Sequence, residues 1–412
     1  MTRKLYHLDS YRRDVTSVVT GVRTGPGGVA VALEETVFYA VAGGQPADRG
    51  ELAGRAVLDV IEEDGVIWHM LGDADPPAVG ERVRGTIDWE RRYDHMQQHT
   101  GQHILSQAFL QALDAATVSV HIERSCTIDL SVPSLDAAGA AKAERLANAI
   151  VFENRPVIVR EVDDAEARSL GLRRPPKQTG LIRVVEVSGF DRSACGGTHV
   201  RASGEVGLIV LRGWERYKGG VRVQFLCGWR ALADYRQARA TLREITAHLS
   251  TGDADAADAV ARLLARTREV ERELETARAA LLDREAQDLI ATRESLGDRA
   301  GPPWLVARAL VNRAFGDARG LARALTRGPG VIVILAAEPE RRLIVARSAD
   351  VALDASTVVR EAVGRLGGRG GGRPEAAEGA AGDASAEALV DAARAAALRM
   401  LGAANQGGVR SP

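Results

Sequence analysis

The apolar pattern changes period at Asp88, and this change constrains the fold more than any other feature of the chain. Before it, short runs rich in Val, Ala and Leu alternate with Gly, Pro and Asp turns. Val15 to Arg23, Gly28 to Leu33, Arg55 to Glu63, Val66 to Leu71 and Glu81 to Ile87 read as strands. Together they predict a small antiparallel β-barrel-like domain over residues 1–90. After Asp88, Met96, His99, His103, Leu105 and Ala108 follow a helical period, which predicts one long helix from about Arg91 to Leu113. Strand-like Val118 to Ile122 and Cys126 to Leu130 come next, then a helix from Leu135 to Asn154. Further strands fall at Pro156 to Glu161, Ile182 to Val187, Gly207 to Arg212 and Arg222 to Leu226. Strands mixed with two helices make 91–230 an α+β domain, and α+β is the class expected of the chain.

Residues 231–298 are nearly all helix formers, broken at Ser250-Thr-Gly-Asp-Ala-Asp into two helices. In the second, Val260, Leu263, Thr267, Val270, Leu274, Ala277 and Leu281 recur at alternate spacings of three and four, an a/d seam. Such a seam closes either an intramolecular helical hairpin or a coiled-coil dimer, and the sequence does not choose between them. Gly301-Pro-Pro ends this region. Strands Val331 to Ala336 and Leu343 to Ser348, with helices Ala355 to Leu366 and Ala386 to Leu401, predict a small α/β domain over 299–412. Between its helices lies Gly367-Gly-Arg-Gly-Gly-Gly-Arg-Pro, the most glycine-dense stretch of the chain.

Composition narrows the partners. A formal net charge of −1 excludes a globally basic nucleic-acid coat and an acidic solvating chain, and leaves room only for local patches. Of 54 basic residues only Lys4, Lys142, Lys177 and Lys218 are lysines, an arginine excess that is mostly background. Three cysteines are too few for a disulfide framework. No signal peptide and no run of about 18 apolar residues is visible, so a cytoplasmic protein without a membrane partner is expected.

Two pairs of residues carry the chemistry. His99-Thr-Gly-Gln-His103 puts two imidazoles four apart on one helix, hence on one face and able to share an ion. Cys195-Gly-Gly-Thr-His199 puts a thiolate and a third imidazole at the same spacing on a glycine turn. Cys and His ligands of this kind select Zn²⁺ among common cytoplasmic metals. Cys195 reads as a ligand rather than a nucleophile because it sits in a ligand-spaced pair. His95, four before His99, is a competing ligand or a group behind the ligands. Gln102 and Asp191 flank the pairs as partners that would fix imidazole tautomers. Spacing alone leaves open whether the metal is structural or catalytic.

These two pairs resemble the zinc motifs shared by the editing domain of alanyl-tRNA synthetase and the free-standing AlaX editing proteins. Lys4-Leu-Tyr-His-Leu-Asp-Ser-Tyr is similar to the opening of AlaX proteins, and Thr36-Val-Phe-Tyr-Ala-Val-Ala-Gly-Gly-Gln45 to the family's glycine–glutamine element. The glycine-dense stretch resembles the signature of the DHHA1 domain, which points to the long AlaX type. The resemblance implies trans-editing hydrolysis of tRNA(Ala) mischarged with serine or glycine. It places zinc on His99, His103, Cys195 and His199, Gln45 in the editing pocket, and Thr36 on the serine hydroxyl. Val41 and Ala42 depart from the family's proline and glycine, and Ala42 adds a Cβ to the loop. Glu378 puts negative charge where RNA would approach the last domain.

An RNA ligand needs local positive charge. Arg212, Arg216, Lys218, Arg222 and Arg230 stand against Glu215 alone, with Trp214 and Tyr217 available for stacking. Arg173, Arg174 and Lys177 form a second cluster, and Arg369 and Arg373 a third. Two other readings stand beside the editing enzyme: a tRNA-binding protein whose zinc only holds the fold, and an editor of another aminoacyl-tRNA such as Ser-tRNA(Thr). A homodimer through the helical segment or the last domain accords with either.

Overall fold

Strand alternation builds the first sheet. In β1 (Asp14–Gly25), Val15, Ser17 and Val19 are buried while Asp14 and Thr16 are exposed, the period-two burial of a sheet with one covered face. The computed structural model describes residues 1–25, 28–123, 125–176, 180–295, 301–338 and 340–406. It divides into two compact units, Met1–His248 and Leu249–Pro412.

In the first unit β1 is joined by β2 (Gly28–Leu33), β3 (Gly50–Leu52), β4 (Arg55–Val57), β5 (Asp59–Glu63), β6 (Val66–Gly72) and β7 (Arg82–Ile87). Their order is β4-β3-β7-β1-β2-β6-β5. The edge strands β4 and β5 are consecutive in the chain, and Leu58 between them donates its N–H to Met70 O on β6 at 2.9 Å. The run Arg55 to Glu63, expected as one strand, therefore divides at Leu58, where it changes partner and brings the sheet close to closure. Leu33, Phe38, Leu52, Ile67 and Val83 fill the interior. A two-residue parallel pairing of Arg3–Lys4 with Glu35–Thr36 lies beside it.

α1 (Trp89–Leu113) begins where Asp88 accepts from the Arg91 N–H at 3.1 Å. Arg92, fully buried, then anchors the helix to the barrel wall. Its Nε donates to Asp48 Oδ1 at 3.0 Å, and its Nη1 and Nη2 donate to Ser10 O at 2.8 Å and Val37 O at 2.6 Å. A buried charge is tolerated here because each of its donors has a partner.

There follow β8 (Thr117–Ile122), β9 (Cys126–Leu130), α2 (Ala137–Phe152), β10 (Val157–Val162), α3 (Asp164–Ser169), β11 (Ile182–Val187) and β12 (Asp191–Ala194). β13 (Ile209–Tyr217), β14 (Gly220–Cys227) and α4 (Gly228–His248) complete the unit. β8-β9-β14-β13 form one antiparallel sheet and β10-β11-β12 a smaller one. Met96, Leu105 and Phe109 of α1 pack with Ile122, Ile128 and Phe225 in a common core.

The second unit contains α5 (Ala256–Ala291), β15 (Glu294–Ser295), β16 (Trp304–Leu310), α6 (Phe315–Leu325), β17 (Val331–Ala337) and β18 (Arg342–Arg347). α7 (Ala355–Arg365), β19 (Arg369–Gly372), β20 (Ala376–Ala380) and α8 (Ala386–Gln406) follow. The sheet order is β15-β16-β17-β18-β20-β19, and β16 pairs parallel with β17 across the α6 crossover. All seven residues of β17 are buried, because α7 and α8 cover one face and α6 with the end of α5 covers the other. The glycine-dense stretch forms the edge strand β19, paired with β20, rather than a free loop. Glu378 is clamped by Arg319 Nε at 2.6 Å and Arg342 Nη2 at 2.9 Å, so the negative charge expected to face RNA is already neutralised.

Every residue of α5 from 260 to 281 is exposed, including the heptad residues Val260, Leu263, Val270, Leu274 and Leu281. The seam therefore stands uncovered within the second unit. Among the described residues no helix is long and apolar enough to cross a membrane.

Candidate metal centre

The middle of α1 supplies His99 and His103, and the turn after β12 supplies Cys195 and His199. The ligand atoms of these four residues lie within 4.8 Å of one another. Cys195 Sγ is 3.3 Å from His99 Nε2 and 3.3 Å from His199 Nε2. A tetrahedral zinc ion with bonds of about 2.0–2.3 Å spans edges of roughly 3.3–3.8 Å, so the two distances from Cys195 Sγ suit it.

The outer nitrogens strengthen the match. His99 Nδ1 lies 2.7 Å from Gln45 Oε1, His103 Nδ1 3.2 Å from Asp191 Oδ2, and His199 Nδ1 3.1 Å from Thr100 Oγ1. Each ring thus has an oxygen acceptor at Nδ1, which leaves the Nε2 lone pair for an ion. Gln45 is held in turn, since its Nε2 donates to Thr198 Oγ1 at 2.8 Å and its Oε1 accepts from the Thr198 N–H at 3.2 Å. Asp191 accepts from Arg173 Nε at 2.8 Å and from Ser193 Oγ at 3.1 Å.

The Cys195 turn is held from behind. Arg183 Nη1 donates to Cys195 O at 2.7 Å and to Gly197 O at 2.9 Å. A Cβ on Gly197 would lie 2.1 Å from His99 Cε1, so only glycine lets the turn approach the helix. In the Ala42–Gln45 turn, positive φ falls on Gly43 and Gly44 and not on Ala42, which is why the alanine departure is accommodated.

Electrostatics prepare the donors. Burial, with Arg183 and Arg173 nearby, lowers His99 to about 3, and burial with the neighbouring imidazoles pushes His199 well below its ordinary value. Both rings are therefore neutral near pH 7. Burial alone would raise the Cys195 thiol, but His103, the Gly197 N–H and Arg183 outweigh it and hold it below the usual thiol range. Asp191 is likewise held low against its burial by His103 and Arg173. Cys195 is the one partly exposed member of the four.

Other expected residues lie apart from this group. Thr36 is fully buried, hydrogen-bonded to His69 Nε2 at 2.8 Å and to the Phe38 N–H at 3.1 Å. Gln102 donates to Ser106 Oγ at 2.7 Å rather than to a ligand's partner. His95 hydrogen-bonds none of the four ligands, and its buried Nδ1 has no partner. Thr100, Thr198, Arg173 and Arg183 carried no motif signal as partners of the ligands. Only the crossing of α1 with the Cys195 turn gives them that place.

The basic patch is largely compensated. Arg212 pairs with Asp234 at 3.1 Å, Arg222 with Asp129 at 2.7 Å and Arg230 with Asp94 at 2.6 Å. Arg216 and Lys218 have no carboxylate partner among the described residues. Trp214 is tied to Leu135 O at 2.8 Å, and the Arg222 guanidinium covers the Tyr217 ring at 3.5 Å. Arg173 belongs to the metal centre, and Lys177 lies outside the described residues. In the second unit, Arg369 and Arg373 are exposed on and just after β19.

Residues 182–224 match the threonyl and alanyl tRNA synthetase second additional domain, and residues 305–400 match the DHHA1 domain. The alanyl-tRNA editing protein AlaX-L of Pyrococcus horikoshii is 30% identical over 90% of this chain and 92% of its own length. The chain belongs to the alanyl-tRNA editing protein family. The alanyl-tRNA editing protein Aarsd1 of Rattus norvegicus is 33% identical over 63% of this chain and 67% of its own. The alanine–tRNA ligase of Pyrobaculum aerophilum is 36% identical over 66% of this chain, which spans 32% of that ligase.

Proposed function

We propose that this chain is a trans-editing hydrolase that cleaves the ester of tRNA(Ala) mischarged with serine, and also with glycine, at a zinc-centred site. The observation that carries the reading is the convergence of His99, His103, Cys195 and His199 with every Nδ1 already facing an oxygen acceptor. The substrate would make it a cytoplasmic enzyme.

His99, His103 and His199 would hold the ion through Nε2 and Cys195 through its thiolate. When bound, zinc supplies a Lewis acid for an ester carbonyl or an attacking water. Gln45, Asp191 and Thr100 fix the ring orientations, and Arg183 holds the Cys195 turn. Substrate would approach at Cys195, the least buried ligand. Arg216, Lys218, Arg369 and Arg373, which have no carboxylate partner among the described residues, are cations that would meet tRNA phosphate. We also propose that the uncovered α5 seam pairs with a second copy of the chain.

Purified protein mixed with Ser-tRNA(Ala) and Ala-tRNA(Ala) tests the enzyme. The serine ester is expected to disappear faster than in buffer and the alanine ester to persist. A serine ester no shorter-lived than in buffer refutes the reading. Cys195→Ala is expected to stay folded and lose both bound zinc and hydrolysis, whereas collapse of its fold assigns the metal a structural role.

A further inference from the structure

The backbone carbonyls of the Cys195 turn are all taken up by donors from elsewhere in the chain. Arg183 Nη1 holds those of Cys195 and Gly197, and His7 Nε2 lies 3.1 Å from Gly196 O. Burial, with Arg183 and Lys4 nearby, lowers His7 to about 4, so its ring is neutral at pH 7. The carbonyl contact places the single proton on Nε2. His7 belongs to the helical turn Leu5–Leu8, anchored by Leu5 and Tyr6 in the barrel core. The Tyr6 ring stands edge-on to the imidazole at 4.8 Å, and His7 O accepts from Arg183 Nε at 3.4 Å. The N-terminal segment is thus strapped to the turn through one imidazole.

These carbonyls fix where the N–H groups point, because a trans peptide sets its N–H opposite its C=O. Gly197 O faces Arg183, so the Thr198 N–H turns from it and meets Gln45 Oε1 at 3.2 Å, beside His99. Gly196 O faces His7, and the Gly197 N–H meets Cys195 Sγ at 3.4 Å. Cys195 O faces Arg183 as Gly197 O does, so the Gly196 N–H also turns from Arg183. Among the described residues nothing accepts from it. Gly196 is exposed, and a Cβ there would have only His7 Nε2 nearby, at 3.9 Å, so this donor is open to a ligand. Successive backbone N–H groups favour negative charge, and here two are used by the sulfur and by Gln45 while one is left over.

Ester hydrolysis develops negative charge on the carbonyl oxygen. We propose that the Gly196 N–H donates to that oxygen, and that His7 is the positioning residue that keeps this donor in place. Water adds to the ester carbon, and the carbonyl electron pair becomes the oxyanion that the N–H meets. Collapse then breaks the bond to the RNA oxygen, which leaves with the proton that water gave up. Glycine rotates more freely than any other residue, so both peptide planes beside Gly196 must be clamped, one by Arg183 and one by His7. The assignment rests on the editing reading.

Hydrolysis of Ser-tRNA(Ala) by the full chain tests it, with zinc content and binding of uncharged tRNA(Ala) as controls. Gly196 has no left-handed φ, so Gly196→Pro deletes the N–H without requiring one, and Gly196→Ala keeps it. Gly196→Pro is expected to lower kcat roughly 100- to 1000-fold with KM and both controls unchanged, the scale of one lost oxyanion donor. Gly196→Ala should turn over as the parent does. His7→Ala should lower kcat at unchanged KM, and His7→Gln, which keeps a donor for Gly196 O, should restore most of it. The same split should appear without turnover. Gly196→Pro and His7→Ala should bind a tetrahedral phosphonate analogue of seryl-adenosine more weakly, and its planar amide analogue as the parent does. A zinc-loaded Gly196→Pro protein with parental kcat overturns the proposal. If that variant loses zinc, the His7 pair decides, and parental kcat in His7→Ala overturns it. A parent that leaves the serine ester intact sinks the editing reading, and the proposal with it.

Discussion

Gln45 Oε1 lies 2.7 Å from His99 Nδ1, although the two residues belong to the barrel and to α1. The contact makes an N-terminal turn part of the metal centre. Gln45→Ala removes the acceptor that orients His99 and is expected to weaken zinc binding by about 10–100-fold. Gln45→Glu keeps an acceptor and should retain most of the affinity. Competition against a chelator measures both. Equal affinity for the alanine variant and the parent would remove Gln45 from the centre.

Two adjacent glycines in the Cys195 turn should respond differently. A Cβ at Gly197 would meet His99 Cε1 at 2.1 Å, whereas one at Gly196 would have only His7 Nε2 nearby, at 3.9 Å. Gly197→Ala should therefore displace His99 and lower the bound zinc per chain, and Gly196→Ala should not. Metal analysis of the two purified variants checks this, and similar zinc contents would contradict it.

The reach of sequence reasoning follows from how each element is held. Cys126–Leu130 and Ile182–Val187 were readable because their apolar runs end at turn residues, and Gly28–Leu33 because a Gly-Pro-Gly turn precedes its run. β3, Gly-Glu-Leu, and β12, Asp-Arg-Ser-Ala, are too short to show a period and exist through pairing with neighbours. In the centre, the spacing of His99, His103, Cys195 and His199 was visible because ligands repeat on local elements. Thr100 was not, since its role depends on His199, far away in the chain, crossing above it. Arg212, Arg222 and Arg230 looked like a patch because their carboxylate partners lie elsewhere in the sequence.

His69 should make the fold acid-sensitive. It is fully buried, and burial lowers it to about 4 from an ordinary value near 6.5. The unfolded chain therefore binds a proton that the folded chain refuses between those values. Stability is complete above about pH 6.5 and is lost as the pH falls toward 4, by about 3 kcal/mol from this group. His7, His95 and His99 are also lowered and add to the slope. Urea melts across that range should show a shallower pH dependence for His69→Gln than for the parent. Parallel curves would exclude His69 as a source.

The role proposed for Thr36 towards the serine hydroxyl is constrained by its neighbours. His69 Nδ1 faces Val31 O at 2.9 Å and so carries the proton, which makes Nε2 an acceptor for the Thr36 hydroxyl at 2.8 Å. The Phe38 N–H donates to the same oxygen at 3.1 Å, leaving one lone pair. Thr36 can then only accept from a ligand, which a serine hydroxyl satisfies and an alanine methyl does not. Thr36→Val should cost about 1–3 kcal/mol and narrow the preference for Ser-tRNA(Ala) over Ala-tRNA(Ala). A stability loss with unchanged preference would leave Thr36 a purely structural residue of the barrel.

The α5 seam makes a prediction about assembly. Within the second unit, residues 260–281 are exposed, Leu281 at 70%. Only the following turns pack, through Leu282, Ala286, Leu289 and Ile290 against the core of the second unit. In proteins a helix draws most of its stability from burying an apolar face rather than from helix propensity. Val260, Leu263, Val270, Leu274 and Leu281 form such a face at a/d spacing, with Arg and Glu around it. A second copy would bury it, and the charged flanks would pair across the interface. Light scattering on the purified chain should give twice the mass of 43.9 kDa. Leu263→Glu combined with Leu274→Glu should give the single-chain mass with zinc content unchanged. A parental mass of one chain, or a double variant that stays dimeric, would mean that the seam does not join copies.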